Sequence, residues 1–250
     1  MAGGTRHLAF ASCYNTRDTG GYPTAHGRPV RWRALMRSDT LCRLNATGRA
    51  DIVAYGVRSV IDIRGTPETL ATQHPFMGSA VAQVAYQHLP IMDESRTTLA
   101  NVLDQAEGTL SIYRLIIDQG ATRFAALVKA IVSAPEGGVL IHCHAGKDRT
   151  GLAVALLLTA VGVPAAIVAE DYALSDLYLR EHYALELEEI AHDPVRHAKL
   201  RALQNAHPET ITTILAHIEA THGSVHAYLR AGGATDDELT ALTARLLEQQ

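Results

Sequence analysis

The sequence predicts an α/β fold: a central mixed, mostly parallel sheet flanked by helices, with a helical C-terminal layer. Three observations lead there. Strand-like and helix-like runs alternate between residues 57 and 163, as they do when helices cover both faces of a sheet. The short apolar run "GGVLIHC" (137–143) passes within a few residues into the apolar helix pattern "RTGLAVALLLTAVG" (149–162). From about residue 165 onward every segment reads as helix. No repeat, low-complexity tract or clear linker interrupts the chain, so 1–250 is expected to be a single domain with its helical part at about 165–250.

Taken in order, residues 14–39 are rich in Gly, Pro and Arg, with "DTGGYP" and "HGRP" as turn signals. "RPVRWRALMRSD" (28–39) alternates basic and apolar residues, the pattern of an extended hairpin arm. "NATGRADIVAYG" (45–56) is a short helix ended by Gly56, followed by the strand "VRSVIDI" (57–63). A further strand is expected in "AVAQVAYQHLP" (80–90). Helices are expected between 97 and 133, the second being "SIYRLIIDQGATRFAALVKAIVSA". The helix after "GGVLIHC" is stopped by Gly162 and Pro164. In the tail, "TDDE" (235–238) is an N-cap with an acidic first turn.

Bulk composition narrows the function. With 47% hydrophobic and 19% charged residues, the 250-residue chain has ample material for a core. A net charge of −4 and a pI near 6.3 argue against nucleic acid held by bulk positive charge. No run of eighteen apolar residues exists, so no membrane span is expected. The N-terminus lacks an apolar signal core, "LAFAS" being too short, which points to a cytoplasmic protein. Three cysteines without clustered spacing (Cys13, Cys42, Cys143) make no disulfide framework, and a lone Cys in a special context is a candidate nucleophile. Nineteen of the 22 basic residues are Arg, which makes a Lys inside a loop motif stand out.

That motif is "IHCHAGKDRTG" (141–151). The residues between Cys143 and Arg149 can curl so that their backbone N–H groups converge on one point. The following helix adds its unpaired N–H groups and the positive end of its dipole. Such a nest suits a tetrahedral dianion, and Arg149 supplies a planar fork for two of its oxygens. Gly146 permits close approach of backbone. A thiol at the base of such a field loses its proton more readily than a free cysteine does. Thr150 is placed to donate a hydrogen bond to it. A nucleotide P-loop is excluded, because Asp148 follows "GK" and no glycine stands five positions before Gly146. A zinc site would need His142, Cys143 and His144 to ligate from consecutive positions, and no CxxC partner exists. Neither metal nor cofactor is expected.

"HCHAGKDRTG" resembles the signature loop of cysteine-dependent protein tyrosine phosphatases. More narrowly, it is similar to the bacterial branch reading HCxxGKDRTG, with secreted mycobacterial and listerial members acting on phosphotyrosine, phosphoserine/threonine and phosphoinositides. The likeness covers most of the chain. "NTRDTGGY…RSDTL" matches that branch's N-terminal block and "SVIDIRGTPE" its "DLR…E" segment, while "GVPAAIVAEDYALS" and the tail from Gly223 follow as expected. Two departures stand out: Thr16 and Thr19 replace an aromatic and a Leu, at positions expected near the substrate mouth.

The resemblance implies a cysteine-phosphatase-like sheet and a phosphomonoesterase. Cys143 would attack phosphorus, and Arg149 and the loop amides would hold the equatorial oxygens. The "WPD" loop of classical members is missing, and the resemblance to the bacterial branch implies Asp148, inside the loop, as first choice for general acid; Asp93, in "LPIMDESR", is the alternative. His144, Ala145, Gly146, Lys147, Thr150 and Gly151 are expected around the substrate. Arg17 and Arg64 are expected beside it, with Asp62 and Arg64 bracing the loop and His142 bonding its backbone. The expected partner is a phosphorylated protein or phosphoinositide, with a small sugar or nucleotide phosphate as the alternative.

Overall fold

The computed structural model describes residues 5–78, 83–92 and 108–249, apart from the side chain of Lys199. Five strands form one sheet: β1 (Arg17–Asp18), β2 (Leu35–Ser38), β3 (Val57–Asp62), β4 (Ala85–His88) and β5 (Gly138–His142). Their order is β1-β2-β5-β3-β4; β1 runs antiparallel to β2, and every other pairing is parallel. The expected mixed, mostly parallel sheet is present. All five residues of β5 are buried, as an inner parallel strand covered on both faces requires.

The faces divide along the strands with a period of two. Leu35, Ile61, Val139 and Ile141 enter the larger core cluster, while Met36, Val60 and Leu140 enter a smaller one with Leu8, Phe10, Leu41 and Ile52. The smaller side is covered by the N-terminal segment and α1 (Ala46–Tyr55). Asn45 caps α1 by accepting from Gly48 N at 2.9 Å, and the helix ends at Gly56, as expected. A short α2 (Thr66–Ala71) follows β3.

The larger side carries α3 (Thr109–Ser133), α4 (Asp148–Ala160), α5 (Ala165–Glu189) and the tail helices. These are α6 (Pro194–Leu203), α7 (Pro208–His222), α8 (Val225–Ala231) and α9 (Asp236–Leu246). Helix α5 packs on α4 and α7, and α3 packs on α7, α8 and α9. Thr235 caps α9 by accepting from Glu238 N at 3.2 Å. Among the described residues no helix is long and apolar enough to cross a membrane.

Two expectations need correction. "RPVRWRALMRSD" does run antiparallel to the chain before it, as a hairpin arm does, but it is no peripheral arm: Leu35–Ser38 is an inner strand, parallel to β5 on its other side, with all four residues buried. The basic alternation misleads because Arg37 is a buried ion-pair partner rather than an exposed cation. The strand at 80–90 is trimmed to Ala85–His88, and 79–82 lie outside the described residues. The first helix expected from 97 lies largely outside them too.

Parallel register brings Ser38, Asp62 and His142 side by side at the carboxyl ends of β2, β3 and β5. Ligands of open α/β sheets bind in the crevice beyond such strand ends. The "HAGKDRTG" loop opens there.

Candidate active site

The loop 143–147 joins β5 to α4, and each of its carbonyls meets a donor. Cys143 O lies 3.0 Å from His142 Nδ1. His144 O accepts from Thr40 N at 2.7 Å, and Ala145 O from Asn15 Nδ2 at 3.0 Å. Gly146 O accepts from Arg37 Nη2 at 2.7 Å, and Lys147 O from Gly151 N at 2.9 Å. A trans peptide whose carbonyl points one way points its N–H the other. Drawing the carbonyls to outside donors therefore turns the N–H groups toward the inside of the curl, the arrangement of an anion-binding nest. Gly146 makes the curl possible: its φ is +68°, and a side-chain carbon there would run into the Ser38 carbonyl.

Charge behind the loop matches that design. Arg17 Nε and Arg37 Nη1 lie 3.1 and 2.6 Å from the two oxygens of Asp171, all three residues being buried. Burial pushes the Asp171 carboxyl up, but the two guanidiniums outweigh it and hold its pKa at about 2. Burial, with repulsion from Arg37, brings Arg17 down to about 10, still protonated near neutral pH. Two cations to one anion leave this trio with a net positive charge, one arm of which bonds the loop itself.

Cys143 lies at the base of a cavity of about 470 Å³ and is only 2% exposed. Arg149, in the first turn of α4, also lines it, and its guanidinium grips both carboxylate oxygens of Glu68 from α2, one at 2.9 Å. Burial works against the Arg149 charge, but the Glu68 hydrogen bonds and the Coulombic pull of Cys143, Glu68 and Asp148 outweigh it and raise its pKa. Asp148 Oδ1 accepts from Tyr113 OH at 2.6 Å and lies 3.4 Å from Lys147 Nζ; Oδ2 has no hydrogen-bond partner among the described residues. Tyr183 forms part of the wall, its hydroxyl held protonated first by burial and then by Asp148 and Glu186. Aliphatic side chains, Ile112 and Ile116 from α3 and Leu200 and Leu203 from α6, share the lining with polar ones, among them Thr109, Glu186, Glu189, Arg196 and Gln204.

A tyrosine phosphatase family model matches residues 8–248. The chain belongs to the tyrosine phosphatase family. It is similar to a tyrosine-protein phosphatase of Nostoc commune, 27% identical over 90% of this chain and 78% of that one. It is similar too to a putative tyrosine-protein phosphatase of Cupriavidus necator, 28% identical over 91% and 84% of the two chains. A triple specificity protein phosphatase of Mycobacterium tuberculosis is 29% identical over 94% and 96%. The protein is a phosphoric monoester hydrolase.

In this tyrosine phosphatase family member the structure brings Cys143, His144, Ala145, Lys147, Asp148 and Arg149 together around the cavity. Not all of these offer their charge to the cavity, and other expected residues lie behind it. Lys147 is 1% exposed, and its ammonium is held by the carbonyls of Leu203 and Asn205, so it ties the end of α6 to the loop instead of offering a free charge to substrate. Arg17 and Arg64 are buried on Asp171 and Asp62, and Gly151 packs on Tyr172. Thr150 Oγ1 is buried with no hydrogen-bond partner among the described residues. Thr16 and Thr19 are not at the mouth: both are buried, bonded to Ser38 Oγ and to the Leu35 carbonyl. Asp93 lies outside the described residues.

Residue by residue, sequence reasoning left Glu68, Tyr113, Arg37 and Asp171 in this phosphatase without a site role. Glu68 had one signal, its place in "DIRGTPE", where it accepts from Gly65 N at 2.9 Å and so starts α2. Tyr113 had none, because only packing of α3 on α4 brings its hydroxyl to Asp148.

Proposed function

We propose that this phosphatase is a cysteine-dependent phosphomonoesterase whose substrate carries its phosphate on an apolar or aromatic body. The observation that supports the mechanism most is the outward turn of the Cys143–Gly146 carbonyls onto donors beyond the curl. A nest built that way offers converging N–H groups to a tetrahedral anion lying over Cys143. In the proposed first step, the Cys143 sulfur forms a bond to phosphorus while the ester P–O bond breaks. Asp148 gives its proton to the departing oxygen. In the second, water attacks the phosphocysteine, Asp148 takes its proton, and the sulfur leaves with Thr150 Oγ1 as hydrogen-bond donor. Arg149 and the loop amides hold the equatorial oxygens in both steps, and no metal enters. Residues 1–250 act as one domain in this reading.

The aliphatic side chains of Ile112, Ile116, Leu200 and Leu203 support a phosphotyrosine-type or lipid-linked phosphate over a sugar phosphate, whose hydroxyls gain no partner from these four. Two measurements test this. Cys143→Ser should abolish turnover of p-nitrophenyl phosphate, and retained turnover would reject the mechanism. Comparing kcat/KM on a phosphotyrosine peptide, a phosphoinositide and a panel of sugar and nucleotide phosphates should favour the first two; a preference for a sugar or nucleotide would reject the substrate class.

A further inference from the structure

Behind the first peptide of the loop stand two buried histidines, His142 at the end of β5 and His74 from the segment after α2. Their Nε2 atoms are 2.9 Å apart. The other nitrogen of each ring meets a backbone group whose role is fixed. The Phe76 N–H can only donate, so at 3.2 Å it makes His74 Nδ1 an acceptor. The Cys143 carbonyl can only accept, so at 3.0 Å it makes His142 Nδ1 a donor. Both rings are buried, and burial lowers both pKa values, that of His74 to about 3, so each ring carries one proton. A neutral His74 that accepts at Nδ1 carries its proton on Nε2. A neutral His142 that donates at Nδ1 has a bare Nε2. Two independent deductions thus meet in one hydrogen bond, from His74 Nε2–H to His142 Nε2.

We propose that His74 is a positioning residue for the signature loop, holding His142 in the tautomer that donates to the Cys143 carbonyl and keeps that peptide turned out of the cradle. The consequence for activity rests on the reading of Cys143 as nucleophile; the tautomers do not.

Other groups around the pair fit. Asp62 Oδ2 lies 3.8 Å from His142 Nε2, but its oxygens are taken by Arg64 at 3.0 and 2.8 Å and by Tyr86 OH at 3.1 Å. His74 stacks on the Tyr86 ring at 4.4 Å between centroids, which fixes its plane. Asp62, His74 and His142 each bring a potential metal-ligand atom within 4.8 Å of the others. A proton between the two Nε2 atoms joins the histidines to each other, and Asp62, committed to Arg64 and Tyr86, stands beside that pair without a hydrogen bond to it. Without the His74 donor, His142 Nε2 is left with the Asp62 carboxylate 3.8 Å away, which favours moving the proton to Nε2 and stripping the Cys143 carbonyl of its donor.

Nitrogen NMR of the uniformly labelled, ligand-free protein near neutral pH reads the tautomers directly. We expect His142 protonated at Nδ1 and His74 at Nε2; either ring in the opposite tautomer, or doubly protonated, would overturn the proposal. His74→Phe keeps the ring stack and removes the donor. It should shift His142 toward the Nε2–H form and lower kcat/KM on p-nitrophenyl phosphate about tenfold, the size of one lost hydrogen bond. His74→Gln, whose amide can both accept and donate, should return to within about threefold of wild type on the same scale. A His74→Phe enzyme of wild-type rate, or a His74→Gln enzyme as impaired as His74→Phe, would reduce the residue to packing. Should His74→Phe not fold, the wild-type spectrum and His74→Gln still decide. Failure of the nucleophile reading would instead appear as turnover surviving in Cys143→Ser.

Discussion

The guanidinium of Arg149 and the carboxylate of Glu68 meet in a two-pronged contact across eighty-one positions of sequence, with Nη2 and Oε1 2.9 Å apart. Glu68 is itself held from behind by Gly65 N at 2.9 Å. Burial pushes its pKa up, but Arg149 more than offsets that and keeps it below the usual range, so the acid stays charged and the fork keeps its plane. Glu68→Gln keeps the shape and removes the charge. With hydrogen bonds to charged groups contributing about 1.5–3 kcal/mol, kcat/KM should fall roughly 10- to 100-fold. Steady-state kinetics on p-nitrophenyl phosphate check this, and a change under threefold would mean that Glu68 only starts α2.

Asp148 has one oxygen anchored by Tyr113 and one without a hydrogen-bond partner among the described residues, the geometry of a group that can hand over a proton. Asp148→Asn should lower kcat about 100-fold or more on phenyl phosphate, whose leaving group needs a proton, and much less on p-nitrophenyl phosphate. The fall in kcat with rising pH should also disappear. Equal losses on both substrates with an unchanged profile would remove Asp148 from the role.

Asp171 holds two buried guanidiniums, and removing its charge leaves both without their partner. Asp171→Asn should lower the unfolding free energy by about 3–5 kcal/mol, read from urea denaturation. A loss below about 1 kcal/mol would show that the cluster is satisfied by other groups.

Stability should fall as the medium is acidified through the histidine range. The folded pKa of His74, about 3, lies below the unfolded value of about 6.5. Between those two values the unfolded chain binds a proton that the folded chain does not. Its contribution is therefore complete above pH 6.5 and is lost as pH falls toward 3, at up to about 1.4 kcal/mol per pH unit. His142 acts in the same direction. Urea unfolding measured from pH 7 to 4 should give a flatter slope for His74→Phe than for wild type; parallel slopes would contradict the assignment.

How far the sequence could be read follows from which contacts are local. The loop, its strand and its helix lie within 25 consecutive residues, from Gly138 to Gly162, so spacing alone showed strand, cradle and helix stop. The alternation of strands and helices gave the mostly parallel sheet. Its supports were hidden because they come from far along the chain: Asn15 and Arg37 approach the loop only through β1–β2 and β2–β5 pairing. His74 comes from a segment between helix and strand with no motif of its own. Buried charge misled as well. Arg17, Arg64 and Lys147 read as substrate contacts, yet each is committed to a carboxylate or to backbone carbonyls that hold the site in shape.

The most direct test of the account is to stop the enzyme in mid-turnover of p-nitrophenyl phosphate by rapid quenching and locate the phosphoryl group by peptide mass spectrometry. The account predicts one phosphoryl group on Cys143, absent from Cys143→Ser. A phosphoryl group on any other residue, or Cys143→Ser turning over at the wild-type rate, would contradict it.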